Sequence, residues 1–258
     1  MAAEATTPII EFRDVSYRVD GAPVLSGITL QVRRGETLVL LGRSGSGKTT
    51  SLKLINRLLT PTSGEIRVNG VSNAQVDVTR LRRGIGYVIQ EVGLFPHFSV
   101  ERNIGLVPRI ERWPEDRIRA RVDELLEIVG LPREIARRYP HQLSGGQRQR
   151  VGVARALAAD PETLLMDEPF GSLDPLTRDD LQHEFLSLQR RFHKTVIFVT
   201  HDLREALLVG SRVALIDAGK LRAVLSPQEF LTSTDPLASA YVRAFGDGPA
   251  PAANRGGS

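Results

Sequence analysis

Short hydrophobic runs alternate with longer amphipathic segments along this chain. Three strands are predicted near the start: Ile9–Val19 and Val24–Val32 partly alternate between apolar and polar positions, and Glu36–Leu41 is almost continuously apolar. The glycine-rich stretch 42–47 then leads into Lys48–Leu59, whose apolar residues recur at helical spacing. A buried strand that passes through glycines into a helix favours an α/β protein.

The hydrophobic pattern changes in the middle of the chain. Segments between Phe95 and Asp160 have helical periodicity and are separated by Gly and Pro, whereas strand-like runs return afterwards. The predicted helices of this block are Pro114–Val129, Arg133–Tyr139 and Gln147–Ala159. The other predicted elements are strands Glu65–Val68, Gly84–Ile89, Thr163–Met166 and Thr195–Val199, helices Pro175–Phe192 and Leu203–Val209, and the hairpin of Arg212–Asp217 and Lys220–Leu225. This order predicts a parallel-sheet domain with a helical insertion at about 95–160.

Composition narrows the possible classes of protein. The chain has 258 residues, of which 41% are hydrophobic and 25% charged, as in an ordinary soluble globular protein. It contains no Cys, which excludes disulfides, zinc–thiolate sites and a catalytic thiol. Its 34 basic and 30 acidic residues leave a net charge of +4, and acidic residues interleave with the arginines of the helical block. We therefore expect no nucleic-acid partner.

The segment 42–49 fits the phosphate-binding pattern GxxxxGK[ST]. Glycines let successive backbone N–H groups turn inward around phosphate oxygens, and the next helix presents its positive end to the same anion. Lys48 is predicted to reach the β- and γ-phosphates, and Thr49 to ligate Mg²⁺. The predicted ATP-binding residues of this segment are Gly42, Ser44, Gly45, Ser46, Gly47, Lys48, Thr49 and Thr50.

Two adjacent carboxylates, Asp167 and Glu168, end the predicted apolar strand that follows the helical block. At this edge of a sheet the first carboxylate is suited to hold Mg²⁺, and the second to orient or deprotonate an attacking water. Such acidic pairs are often simple turn residues, but their position after a phosphate-binding loop favours the catalytic interpretation.

A third motif, LSGGQ at 143–147, lies between the other two. Ser144 followed by Gly145 and Gly146 at a helix start offers a hydroxyl and free amides to an anion, although an ordinary helix cap has the same composition. In this order the three motifs resemble those of ATP-binding-cassette (ABC) ATPases, over essentially residues 8 to 245. The resemblance implies a P-loop NTPase (RecA-like) core with a parallel sheet, an N-terminal antiparallel β subdomain and an inserted α-helical subdomain.

The same resemblance assigns roles to further residues. It implies that Tyr17 stacks on adenine, Gln90 senses the γ-phosphate near Mg²⁺ and is one of its ligands, and His201 contacts the γ-phosphate. It also implies that Asp174 belongs to the D-loop, in addition to capping the helix that starts at Pro175. ATP and Mg²⁺ are the implied cofactors, with Glu168, His201 and Gln90 as the catalytic set and Thr49, Gln90 and Asp167 as the metal ligands.

The chain has one phosphate-binding loop at 42–49 (the P-loop) and one LSGGQ motif at 143–147 (the signature). A single chain therefore provides two halves of ATP sites and no complete one. The family resemblance therefore implies a head-to-tail homodimer, in which Ser144, Gly145, Gly146 and Gln147 face the ATP held by the partner cassette. No hydrophobic stretch approaches the roughly 20 residues of a membrane helix, so transport requires separate permease subunits. We expect a cytoplasmic protein on the inner face of the membrane, working indirectly with a substrate-binding protein.

The segment 91–113 is rich in apolar and aromatic residues, and in the family this region contacts the permease. Its sequence GLFPHFSVERNI resembles importer cassettes, and its continuation GLVPRIERW resembles the osmoprotectant branch that imports glycine betaine, choline or carnitine. The same cassette could drive uptake of another cargo, such as amino acids, sulfonates or lipids. A soluble ABC protein of DNA repair or translation is disfavoured because no long coiled-coil insertion or tandem cassette is present.

We expect one ATPase domain over residues 1–245 and a disordered, Gly/Pro/Ala-rich tail over 246–258. The N-terminus has no basic cluster followed by an apolar run, so no secretory signal is predicted. Many osmoprotectant cassettes carry C-terminal CBS modules, and this chain has no room for them after Phe245. Osmotic regulation of that kind is therefore not expected within the chain.

Overall fold

The computed structural model describes residues 8–90, 92–171 and 173–246, which form two sheets and ten α-helices. The strands are β1 (Ile10–Val19), β2 (Ala22–Val32), β3 (Thr37–Leu41), β4 (Ser63–Val68), β5 (Val71–Ser72), β6 (Ile85–Val88), β7 (Thr163–Asp167), β8 (Thr195–Thr200), β9 (Arg212–Asp217) and β10 (Lys220–Leu225). The helices are α1 (Lys48–Ile55), α2 (Val78–Arg83), α3 (Val100–Ile104), α4 (Leu106–Ile110), α5 (Glu115–Ile128), α6 (Gly145–Leu157), α7 (Pro175–Phe192), α8 (Leu203–Val209), α9 (Pro227–Leu231) and α10 (Pro236–Gly246).

The larger sheet has the strand order β10-β9-β3-β8-β7-β6. All its neighbours are parallel except β10, which pairs antiparallel with β9. The smaller sheet, β2-β1-β4-β5, is antiparallel throughout. The predicted α/β architecture, with a parallel sheet and an N-terminal antiparallel sheet, is confirmed.

The larger sheet separates two hydrophobic cores. Side chains alternate across it, so Val39 and Leu41 of β3 join one core while Leu38 and Leu40 join the other. In the first core, the sheet packs against α3, α5, α6, α7 and α8. In the second core, it packs against α1 and against the smaller sheet. Burial on both faces explains why β3 reads as a continuous apolar run.

Helices α3 to α6 enter between β6 and β7, where the sequence predicts a helical block. Ile104, Ile118, Leu125 and Val151 of these helices are fully buried in the first core. The segment predicted as the helix Arg133–Tyr139 is instead a 3₁₀ helix over Arg133–Arg137, followed by another at Pro140–Gln142. The assignment of residues 1–245 to one domain remains a prediction.

Helix α1 is shorter than the predicted Lys48–Leu59. The side-chain amide of Asn73 donates to the carbonyls of Leu54 and Ile55, at 2.9 and 3.1 Å, and so satisfies the open end of the helix. Arg57 then turns the chain with a φ of 53°. The end of α1 is therefore set by Asn73, which is distant in the sequence, and not by Pro61.

The last described element, α10, has no predicted counterpart. The predicted disordered tail 246–258 lies outside the described residues except for Gly246, which ends this helix. Among the described residues, no helix is both long and apolar enough to cross a bilayer.

Candidate functional site

The loop between β3 and α1 forms one wall of a cavity of about 720 Å³ at the carboxyl edge of the larger sheet. A Cβ on Gly42 would lie 2.2 Å from the carbonyl oxygen of Ile216, and one on Gly47, at φ 103°, would lie 2.4 Å from Leu25 Cδ2. These positions require glycine because the loop is packed tightly against β2 and β9. The hydroxyl of Ser46 is buried in the loop and has no hydrogen-bond partner within the described part of the chain.

Lys48 folds back across this loop. Its Nζ donates to the carbonyl oxygens of Gly42 and Arg43, at 2.8 and 2.9 Å. Burial lowers the pKa of the Lys48 amine, and the carboxylates of Glu168 and Asp167 oppose that shift. A buried ammonium that is held by backbone carbonyls at this loop is suited to bind an anion.

Thr49 Oγ1 donates a 2.8 Å hydrogen bond to Oδ1 of Asp167. Burial raises the pKa of Asp167, and the hydrogen bond from Thr49 partly offsets that shift. Among the described residues no group of three or more His, Cys, Asp or Glu side chains could hold a metal alone. A hydroxyl and a carboxylate are nevertheless the hard oxygen ligands that Mg²⁺ takes when phosphates and waters complete its shell. The residues therefore fit the predicted metal.

Glu168 follows β7 with a φ of 44°, a left-handed backbone conformation that non-glycine residues seldom adopt. Its N–H donates to the carbonyl of Val199 at 3.0 Å and its own carbonyl accepts from Gly171 at 3.1 Å, which fixes the turn. Oε2 of Glu168 lies 3.1 Å from Nδ1 of His201. Both side chains line the cavity.

A buried carboxylate on α8 supports the segment that carries His201. Thr200 Oγ1 donates to Glu205 Oε2 at 2.6 Å, and Gln182 Nε2 of α7 donates to Glu205 Oε1 at 3.3 Å. The backbone N–H of Asp202 donates to Thr200 Oγ1 at 3.0 Å. The turn around His201 is therefore tied to both α7 and α8.

Gln90 lines the cavity just beyond the end of β6. The chain that follows is fastened to α6, because the guanidinium of Arg155 donates to the carbonyls of Val92 and Gly93, both at 2.7 Å. A Cβ on Gly152 would lie 2.6 Å from Val92 Cγ1. The segment after Gln90 thus packs directly on the helix that starts at the LSGGQ motif.

The LSGGQ residues lie outside this cavity. Ser144 caps α6, because its Oγ accepts from the N–H of Gln147 at 3.2 Å while Gln147 Oε1 accepts from the N–H of Ser144 at 3.0 Å. Gly145 is exposed, and a Cβ on Gly146 would lie 2.5 Å from Thr177 Cγ2 of α7. The motif is therefore a preformed helix start that lies apart from the P-loop of its own chain.

The structure sorts the predicted site residues into three groups. Those that line the cavity are Ser44, Gly45, Ser46, Gly47, Lys48, Thr49, Thr50, Gln90, Glu168 and His201. Gly42 and Asp167 lie behind that wall and contact it. Those outside it are Tyr17, Ser144, Gly145, Gly146, Gln147 and Asp174.

Tyr17 and Asp174 have clear structural partners. Tyr17 packs against the second core from β1, and it is not part of the cavity lining. Asp174 caps α7, and hydrogen bonds from Thr177 lower the pKa of its carboxyl. Their predicted roles toward nucleotide and partner remain predictions.

The cavity also has lining residues that the sequence did not single out. They are Val24, Arg43, Leu237, Ala240, Tyr241 and Ala244. The last four come from α10, for which the Asp235-Pro236 pair and the apolar spacing of 237, 241 and 244 give a helix signal. No local signal indicates that this helix faces the P-loop, which lies near the opposite end of the sequence.

The sequence and the fold of this chain were compared with those of known proteins. A family model described as "ABC transporter" matches residues 25–171. The glycine betaine/carnitine/choline transport ATP-binding protein OpuCA of Bacillus subtilis is 48% identical over 87% of this chain and 58% of its own length. The glycine betaine uptake system ATP-binding protein YehX of Escherichia coli is 48% identical over 92% of this chain and 76% of its own length.

Solved structures agree with these matches. A dimeric structure of the ATP-binding cassette MJ0796, in a post-hydrolysis state with ADP and Pi, superimposes with a TM-score of 0.76 at 32% identity, covering 84% of this chain and 98% of the other. The present chain spans little more than half the length of the OpuCA protein.

Proposed function

The chain belongs to the ABC transporter family, and from that premise we propose that it is the ATP-binding and ATP-hydrolysing subunit of an importer of quaternary amines. The observation that carries the ATPase proposal is a cavity lined jointly by the P-loop, Gln90, Glu168 and His201. It combines an anion-binding loop with a carboxylate and an imidazole at hydrogen-bonding distance from each other.

In this proposal the P-loop amides and Lys48 bind the phosphates. The Nζ of Lys48 exchanges its contacts with the Gly42 and Arg43 carbonyls for phosphate oxygens, and the Ser46 hydroxyl gains an acceptor. Thr49, Gln90 and Asp167 would hold Mg²⁺, and the ion would supply positive charge against the phosphate oxygens.

Glu168 acts as the general base. Its carboxylate accepts a proton from a water whose oxygen forms the new bond to the γ-phosphorus, while the bond from that phosphorus to the bridging oxygen breaks and ADP leaves. His201, 3.1 Å away, orients the carboxylate and contacts the γ-phosphate.

The position of the LSGGQ motif supports a head-to-tail dimer as the working unit. The residues Ser144–Gln147 start α6 outside their own cavity, so they are available to the ATP of a second cassette. The MJ0796 cassette, which this chain resembles, is likewise a dimer in its structure with ADP and Pi. We propose that the nucleotide bridges the P-loop of one copy and the signature of the other, and that hydrolysis releases them.

Coupling to a membrane permease is the second part of the proposal. Phe95, His97 and Phe98 form an aromatic group after Gln90, with ring centroids of Phe95 and Phe98 5.2 Å apart and Arg102 4.5 Å above the Phe98 ring. Phe95 is 41% exposed. An exposed aromatic group that follows Gln90 in the chain suits a permease helix, which would hold the chain at the inner face of the membrane.

The cargo is proposed by analogy with relatives that transport glycine betaine, choline and carnitine. A periplasmic or surface binding protein would deliver the amine to the permease. We further propose that residues 1–245 act as one ATPase unit.

The test has two stages. The purified chain is expected to bind and hydrolyse ATP in the presence of Mg²⁺, and Lys48→Ala to do neither; a wild-type chain that does not bind ATP would overturn the ATPase proposal. In cells that carry the chain with its membrane subunits, Lys48→Ala should abolish uptake of labelled glycine betaine and choline. Retained uptake in that variant would exclude this chain as the engine of quaternary-amine import.

A further inference from the structure

Glu205 of α8 carries a buried carboxylate next to the turn that presents His201. The residue is 4% exposed. Both of its carboxylate oxygens accept a hydrogen bond from a neutral donor: Oε2 from the hydroxyl of Thr200 at 2.6 Å, and Oε1 from the side-chain amide of Gln182 at 3.3 Å. Burial raises the pKa of this carboxyl, because the charged form is unfavourable away from water. An apolar side chain would avoid that cost, so the carboxylate indicates a task beyond packing.

The hydroxyl of Thr200 joins this carboxylate to the backbone around His201. Thr200 Oγ1 accepts the backbone N–H of Asp202 at 3.0 Å. Because a hydroxyl has one proton and two lone pairs, it can accept from Asp202 and still donate that proton to Glu205. The two residues that flank His201 are therefore linked to each other through the same hydroxyl that Glu205 orients.

The imidazole of His201 depends on this backbone for its direction. Its side chain is 61% exposed. Within the described part of the chain its hydrogen-bonding neighbour is Glu168, whose Oε2 lies 3.1 Å from Nδ1. Because the imidazole has so few contacts of its own, a shift of the backbone at 200–202 would move it relative to Glu168.

We propose that Glu205 is a positioning residue for His201. Through the hydroxyl of Thr200 it fixes the backbone on both sides of the imidazole, and so keeps the imidazole beside Glu168. The inference rests on the proposed ATPase function and adds to it a residue that acts without touching the nucleotide. Glu205 does not line the cavity, so its loss should lower kcat and leave the KM for ATP unchanged.

Two substitutions break the link at its two ends. Glu205→Leu removes the acceptor, and Thr200→Val removes the hydroxyl while keeping the shape of the side chain, so Thr200→Val carries the test if Glu205→Leu does not fold. Glu205→Gln keeps an oxygen that can accept from Thr200. Thr195→Val is the matched control, because Thr195 is a buried threonine at the other end of β8 whose Oγ1 also accepts a backbone N–H, that of Gly35 at 2.9 Å.

The kcat and KM of ATP hydrolysis with Mg²⁺ are measured for each variant, alone and combined with His201→Ala. We expect Glu205→Leu and Thr200→Val each to lower kcat about 10- to 100-fold, the scale of effect of a small misplacement at a reacting group, with KM unchanged. Glu205→Gln and Thr195→Val should keep a kcat near that of the wild type.

The combination with His201→Ala separates positioning from a general structural effect. If Glu205 and Thr200 act through His201, neither Glu205→Leu nor Thr200→Val should lower kcat further once the imidazole is gone. Residues that act as a unit give such non-additive losses, whereas independent destabilising changes multiply.

Several results would overturn the inference while leaving the ATPase function of the wild type intact. These are a wild-type kcat in Thr200→Val, an equal loss in Thr195→Val, losses that multiply in the His201→Ala background, and a raised KM with unchanged kcat. A loss in Glu205→Gln as large as that in Glu205→Leu would also contradict it, because the hydrogen bond to Thr200 would not be what matters. A wild type that hydrolyses no ATP would contradict the proposed function as well.

Discussion

Oε2 of Glu168 lies 3.1 Å from Nδ1 of His201, although the two residues follow different strands and are 33 positions apart. The contact exists because β7 and β8 are parallel neighbours, with Asp167 opposite Val199, so both chains leave the sheet at the same edge. A carboxylate and an imidazole are thereby held together beside the P-loop. The first prediction concerns the carboxylate of this pair.

Glu168→Gln should bind ATP but lose turnover. The amide keeps the size of the side chain and cannot accept the proton from water, so the ATPase rate should fall about 10²- to 10⁴-fold. Because ATP would then persist between cassettes, the variant should elute as a dimer in ATP during gel filtration. Glu111→Gln, at an exposed site that is not part of the cavity lining, is the control. Near-normal hydrolysis by Glu168→Gln would refute the assigned role.

Thr49→Val should raise the requirement for Mg²⁺. The substitution keeps the shape of the side chain and removes the hydroxyl that donates to Asp167 at 2.8 Å. Loss of one such ligand or supporting contact typically costs about 10- to 100-fold in metal affinity, which a titration of ATPase activity with Mg²⁺ measures. Thr49→Ser restores the hydroxyl and should restore the wild-type midpoint; a Thr49→Val midpoint equal to that of the wild type would argue against this site.

Gly47→Ala should destabilise the fold more than Gly45→Ala. Both glycines have positive φ, at 103° and 76°, but a Cβ at Gly47 would lie 2.4 Å from Leu25 Cδ2, whereas none of the surrounding atoms is within 4 Å of one at Gly45. The shared backbone strain is worth about 1–3 kcal/mol, and only Gly47→Ala adds a clash. Urea unfolding of both variants separates the two effects, and equal losses would show that the packing around Gly47 yields.

Glu205→Gln should flatten the dependence of stability on pH. Burial raises the pKa of Glu205 above the ordinary value of about 4.3, so the folded protein holds this proton more tightly than the unfolded chain. Raising the pH from the unfolded to the folded pKa therefore lowers the free energy of unfolding. Asp202 reinforces the shift, whereas the Thr200 hydroxyl and the charges of Arg178 and His201 oppose it.

Thermal unfolding between about pH 4 and 8 measures this effect, and the stability of Glu205→Gln relative to wild type should increase with pH. Glu229→Gln is a control of opposite sign, because hydrogen bonds from Ser226 lower the pKa of Glu229 and its contribution to stability grows with pH. Parallel pH profiles for Glu205→Gln and the wild type would contradict the prediction.

Elements with strong local signals were predicted well. Helices Pro175–Phe192 and Leu203–Val209 and the strands Arg212–Asp217 and Lys220–Leu225 have the predicted bounds. Asp174 followed by Pro175 fixes the start of α7, because an Asp cap and a first-turn Pro act within one turn. The predicted end of α1 was wrong because Asn73, a residue outside the helix, decides it.

Local motifs in the sequence are enough to propose the chemistry of the site. The P-loop glycines, Lys48, Thr49 and the Asp167-Glu168 pair are recognisable because each motif acts over a few adjacent residues. Which of these motifs share a cavity depends on how distant parts of the chain pack together. This packing brings Glu168 to His201, leaves Ser144 outside and adds Tyr241 from the far end of the chain. The reason is physical: strand order and helix packing depend on burial between distant segments, which local spacing does not encode.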